Sequence, residues 1–134
     1  MIDRRVGRTR LVRINIEHPI YAPLWKVVMY GYGPTAVIPR LLAPASGVES
    51  AYLYGSWAAR YLGESGEDPN DVDVLVIGDP DVAALYDIAR EATATIGREV
   101  AINSMSPTRW AASDDGFVRT VRSLPLIELN LVSR

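Results

Sequence analysis

Val72, Val74, Leu75, Val76 and Ile77 make a short run rich in β-branched residues, stopped by Gly78-Asp79-Pro80, and they predict a strand. Upstream, Val48 to Tyr54 ends abruptly at Gly55, the outline of a strand feeding a tight turn. Between the two, Trp57 to Leu62 reads as a short helix capped by Ser56, and Gly63-Glu-Ser-Gly-Glu-Asp-Pro-Asn70 is a polar loop of turn formers. Asp81 caps a predicted helix reaching about Ile96, with Val82, Leu85, Ile88, Ala89 and Ala92 on one face and Gly97 as its stop. Val100 to Met105 is a third strand. Ser106-Pro107 opens a short helix containing Trp110, and a further helix around Phe117 to Arg122 precedes Pro125. Leu126 to Val132 is apolar enough for a last strand or for packing onto the core. Strands alternate with helices, so residues 46 to 134 are expected to form one α+β (α/β) unit, a small mixed β-sheet with helices packed on it.

Residues 1 to 45 read as an N-terminal strand and helical appendage on that unit. Arg10-Leu-Val-Arg-Ile-Asn-Ile16 alternates polar with apolar residues, the period of a half-buried strand, until Pro19 and Pro23 break it. Leu24, Val27, Val28 and Tyr32 recur at helical spacing, and Pro34 opens another helix that gives way to a loop at Ala43-Pro-Ala-Ser-Gly47. Met1 to Arg13 holds five arginines against one acid, Asp3. Such an arm serves a polyanion, a docking partner or a homodimer contact, or is simply a solvated, frayed end.

Composition narrows the function classes. A chain of 134 residues with 49% hydrophobic content is large enough for one core. Its net charge of −2 gives no bulk attraction to nucleic acid or anionic lipid. The absence of cysteine excludes disulfides, thiolate metal sites and cysteine nucleophiles. No apolar run approaches the ~20 residues of a bilayer span, and no signal-peptide core follows the arginines, so a cytoplasmic location with no membrane partner is expected.

Chemistry concentrates between Tyr54 and Val74. Gly55 lets the backbone approach a ligand closely, and the Ser56 hydroxyl stands at a predicted helix N-terminus, where free N–H groups favour phosphate. Asp71 and Asp73, one residue apart on a strand, project from the same face. Two carboxylates so close repel unless a cation sits between them, and a hard divalent ion such as Mg²⁺, or Mn²⁺, meets that need. Arg60 has two readings, a guanidinium reaching a triphosphate or a surface arginine covering the sheet edge. Trp57 either stacks on a base or packs into the core. His18, the only histidine, sits beside Pro19 and reads as structural or solvated.

Gly55-Ser56 followed by Asp71-Val72-Asp73 resembles the signature of the DNA polymerase β-like nucleotidyltransferase superfamily, particularly its minimal nucleotidyltransferase branch, over about residues 48 to 105. The resemblance implies a polymerase β palm-like fold. It assigns nucleotide phosphates to Gly55 and Ser56 and metal ions to Asp71 and Asp73. A third acid normally follows on the next strand, and Glu99 is the acid near that position, which gives it a metal-binding and catalytic role. The minimal pattern has an arginine and a glycine soon after Gly-Ser-x-Ala, where this chain has Ala59 and Arg60. The implied activity is transfer of a nucleoside monophosphate from a Mg²⁺-bound triphosphate, with ATP the expected donor, to a hydroxyl of a protein, an RNA or a small molecule. Some relatives of that branch serve in toxin–antitoxin pairs. The alternative is a nucleotide-sensing or interaction module that lost turnover.

Asn15 to Val28, with His18-Pro19 and Leu24, is similar to the connector of bacterial proteins that join a winged-helix, ArsR-like domain to such a nucleotidyltransferase domain. In those proteins the arginine-rich stretch would be the last strand of the wing. Too few residues precede the connector for a winged helix, so DNA binding is not carried over, and a remnant of a transcription regulator is the remaining alternative.

Overall fold

A computed structural model describes residues 2–6, 9–13, 24, 33–64, 66, 69–112 and 114–131, with the backbone alone for 2–6 and 9–13. The expected helix from Leu24 to Tyr32, apart from Leu24, and the turn at His18-Pro19 lie outside the described residues, as does Val132.

Strand β1 (Ile2–Val6) pairs antiparallel with β2 (Thr9–Arg13), Ile2 opposite Arg13 and Val6 opposite Thr9. The Arg10 to Arg13 part of the expected strand thus pairs with Ile2 to Val6, and residues 14–16 lie outside the described residues. Helix α1 (Pro34–Leu42) opens on Pro34, whose missing N–H would have no helical partner in any case. The main sheet has the order β5-β4-β3-β6, built from β3 (Val48–Tyr54), β4 (Asp71–Gly78), β5 (Glu99–Met105) and β6 (Leu126–Glu128). Strand β3 runs antiparallel to β4 and β6, and β4 runs parallel to β5, so the sheet is mixed and the fold α+β. Short helix α2 (Ser56–Tyr61) links β3 to β4, and α3 (Val82–Ile96) makes the crossover to β5. Helices α4 (Pro107–Ala111) and α5 (Gly116–Ser123) lead back to β6.

Alternation along β4 divides the core in two. Val72, Val74 and Val76 face Ala51, Leu53, Trp57, Leu85, Ala92, Ile38 and Leu42. Leu75 and Ile77 face the opposite way, against Met105, Val118 and Val121, with Tyr52, Tyr54, Trp110 and Leu126 around them. Ile38 and Leu42 are fully buried, so α1, read from the sequence as part of the appendage, seats its apolar face in the same core as the sheet. Arg122 lies 4.0 Å above the Trp110 ring, whose centroid is 5.2 Å from that of Tyr52, which fastens α4 and α5 to the second face. Among the described residues no helix is long and apolar enough to cross a membrane.

Candidate functional site

Helices α4 and α5 cover the second face at the Leu75 and Ile77 end and leave its other end, at the start of β4, for polar residues. Asp71, exposed, and Asp73, half-buried, lie there two residues apart and on one face, as their spacing predicted. The Asp73 carboxyl is pushed above the usual carboxylate range, first by burial and then by the negative charge of Asp71. A site of this kind holds its second negative charge only at a cost, and a cation removes that cost.

Tyr54 is the register partner of Asp73 on one side, and Ala101 is its partner on the other. Glu99 pairs with Asp71, so the parallel ladder carries its side chain to the same face as the two aspartates, one strand out. Thr93 fixes the start of that strand: its Oγ1 accepts from the Val100 N–H at 3.0 Å and donates to the Ala89 carbonyl at 2.8 Å. Glu99, Asp71 and Asp73 are not drawn into one cluster; among the described residues no three histidine, cysteine, aspartate or glutamate side chains form a group that could hold a metal ion.

Gly55 adopts φ 81° and ψ −155°, a conformation open to glycine, and a Cβ built on it would come within 2.9 Å of Asp73 Oδ2. The glycine therefore serves both the turn and the approach of the carboxylate to the backbone. It also takes the cap position. Ser56, read from the sequence as the cap, is instead the first residue of α2, and no side-chain hydrogen bond caps this helix, because only the glycine at 55 tolerates the positive φ at which the chain leaves β3. Ser56 is exposed and follows directly on Gly55. Arg60 lies further along α2, where its Nη1 donates to the Glu64 carbonyl at 3.2 Å. Trp57 is 1% exposed and stacks on Tyr61 at 5.1 Å, which leaves core packing of its two readings.

Two neighbours of the acids were not singled out from the sequence. The Tyr54 phenol is pushed above its usual range by burial, opposed by hydrogen bonding with the Asn103 side chain and reinforced by the charge of Asp73. Tyr54 on β3 and Asn103 on β5 thus meet across β4 and separate the acidic end of the face from the apolar one. The sequence signal for Asn103 is period 2: it stands four residues from Glu99 on one strand and shares its face.

Comparison with family models, with curated proteins and with solved structures returned no match.

Proposed function

We propose that the chain is a nucleotidyltransferase of the DNA polymerase β-like type, taking a nucleoside monophosphate from a nucleoside triphosphate, ATP first among the candidates, and passing it to a hydroxyl. The observation that carries the reading is the carboxylate pair Asp71 and Asp73 on one sheet face, with Asp73 against the side-chain-free backbone of Gly55. The donor set fits a hard divalent cation: two carboxylates, one disfavoured in its charged form by burial and then by the other, leave the remaining coordination positions to water and phosphate. Mg²⁺ or Mn²⁺ held there supplies charge neutralisation for the phosphates.

The protein's own groups supply orientation. Asp71 and Asp73 would hold the metal, Gly55 lets the Asp73 carboxylate lie against the backbone, and Ser56 offers a hydroxyl to a phosphate oxygen. The acceptor oxygen bonds to the α-phosphorus, the bond to the bridging oxygen breaks, and pyrophosphate leaves with that electron pair. The acceptor proton passes to Glu99, the third acid of the face.

Incubation with each labelled nucleoside triphosphate, Mg²⁺ and a cell extract tests the reading. Label transfer by the wild type and its loss in both Asp71→Ala and Asp73→Ala is expected; equal transfer by the variants sinks the mechanism. A second reading, a nucleotide-sensing module without turnover, draws on one observation: the β5 position beside Asp73 is Ala101, and Glu99 stands beside Asp71 instead. Glu99→Gln decides between them. A fall in transfer of about 10²-fold or more marks a proton-accepting role, whereas metal-dependent triphosphate binding with no transfer even in the wild type favours sensing.

A further inference from the structure

The main sheet ends on β5, and among the described residues no strand pairs with its outer edge. The edge is seven residues long and contains no proline, lysine or bulge, the usual devices that blunt an edge against pairing. The Val100 N–H is taken by Thr93, so it does not point to β4, and alternation turns the N–H and C=O groups of Ile102 and Ser104 to the same outer side. Beside the edge runs a groove of about 520 Å³ between β5 and α3. Its helix wall includes Val82 and Tyr86, 60% and 73% exposed, which is unusual for large apolar side chains on adjacent turns.

We propose that this edge and groove dock an extended polypeptide segment, which adds to the sheet as a further strand and presents a serine, threonine or tyrosine hydroxyl to the acids. The inference rests on the transferase reading and names its acceptor class. Three observations select this occupant. The edge offers backbone donors and acceptors, the currency of strand addition. Among the described residues Glu99 is the one charged residue lining the groove, so a polyanion such as RNA meets repulsion there. Glu99, Ala101 and Asn103 belong at once to the groove lining and to the face of Asp71 and Asp73, so the groove and the candidate site share strand β5. Alternation in the added strand then sends one set of side chains into the Val82 and Tyr86 groove and the other set onto the acidic face. The recognised pattern is a hydroxyl residue flanked on each side by an apolar one. At the acids the hydroxyl oxygen bonds to the α-phosphorus of the triphosphate, pyrophosphate departs, and the proton goes to Glu99.

The test uses a capped peptide of alternating valines and serines between lysines, its fully N-methylated counterpart, an oligoadenylate RNA, and the full chain as wild type, Val82→Lys/Tyr86→Lys and Ser104→Pro. Binding of the plain peptide is expected, weakened at least tenfold by N-methylation and by either variant, with Mg²⁺-dependent ATP binding unchanged in both variants. The proposal is overturned if the wild type does not bind the peptide, if the methylated peptide binds equally, or if the variants bind it as the wild type does. It is equally overturned if the RNA competes for the edge, or if the variants dissolve a dimer of this chain whose wild type ignores the peptide. Peptide binding without nucleotide transfer to its serines leaves the docking site standing and removes the transferase reading. Transfer to some other acceptor, untouched by the groove variants, does the reverse.

Discussion

Gly55 is held at φ 81° while the Asp73 carboxylate occupies the space a side chain would need. Gly55→Ala is therefore expected to lose about 1–3 kcal/mol from backbone strain, read as a lowered Tm, and to weaken metal-dependent triphosphate binding by displacing Asp73. Asp73 itself is a charge the fold accepts reluctantly. Because its pKa is raised, the folded state binds the proton more tightly than the unfolded one. Its contribution to stability is thus fully present below the ordinary carboxylate value of 3.8 and declines as pH rises through the raised value. Asp73→Asn is expected to raise stability at pH 7 without metal and to change little at pH 3, where the wild-type group is largely neutral. Thermal melts at the two pH values check the sign. Adding Mg²⁺ should raise the wild-type Tm at pH 7 and leave the variant unmoved, since only a ligand that binds the folded state stabilises it.

At the scale of elements, α3 does two tasks: it seats Leu85 and Ala92 in the core, and through Thr93 it anchors the start of β5, where Glu99 stands. Its first turn is held by the Asp81 carboxylate, which accepts from the Ala83 N–H at 3.1 Å. Asp81→Ala should cost about 1 kcal/mol, measured by denaturant unfolding, without altering triphosphate binding. Helix α5 is capped by Asp115, whose carboxyl is held below the usual range by its hydrogen bond with Arg109 and by the Val118 N–H. That stabilisation is present above the ordinary carboxylate value and is lost as pH falls through the depressed one. Asp115→Ala is accordingly expected to lower Tm at pH 7 and to match the wild type in strong acid.

For the whole molecule, the burial of Ile38 and Leu42 makes α1 part of the core that the sheet needs. A chain beginning at Ser46 is expected to be largely unfolded, because emptying each of those two positions costs about 2–5 kcal/mol; its circular dichroism melt beside that of the full chain decides it. Most elements from Pro34 onward were legible in the sequence because their signals are local. A β-branched run wrote β4, apolar residues ending at Gly55 wrote β3, Val100 to Met105 marked β5, Asp81 and Gly97 bracketed α3, and Pro34 opened α1. The same locality made the pairing of Asp71 with Asp73 on one face readable, since a strand alternates wherever it lies. What the sequence left open was decided by contacts between distant segments. Ile-Asp-Arg-Arg-Val at Ile2 to Val6 carries little strand pattern and is a strand because β2 pairs with it. Ser56 has the chemistry of a cap, but the turn out of β3 gave that position to Gly55. Glu99 stands beside Asp71 and Ala101 beside Asp73 through a ladder register that no single strand specifies, and the meeting of Tyr54 with Asn103 across β4 has the same origin. Local chemistry thus marked the candidate residues for phosphate and metal, and tertiary pairing decided which of them stand together.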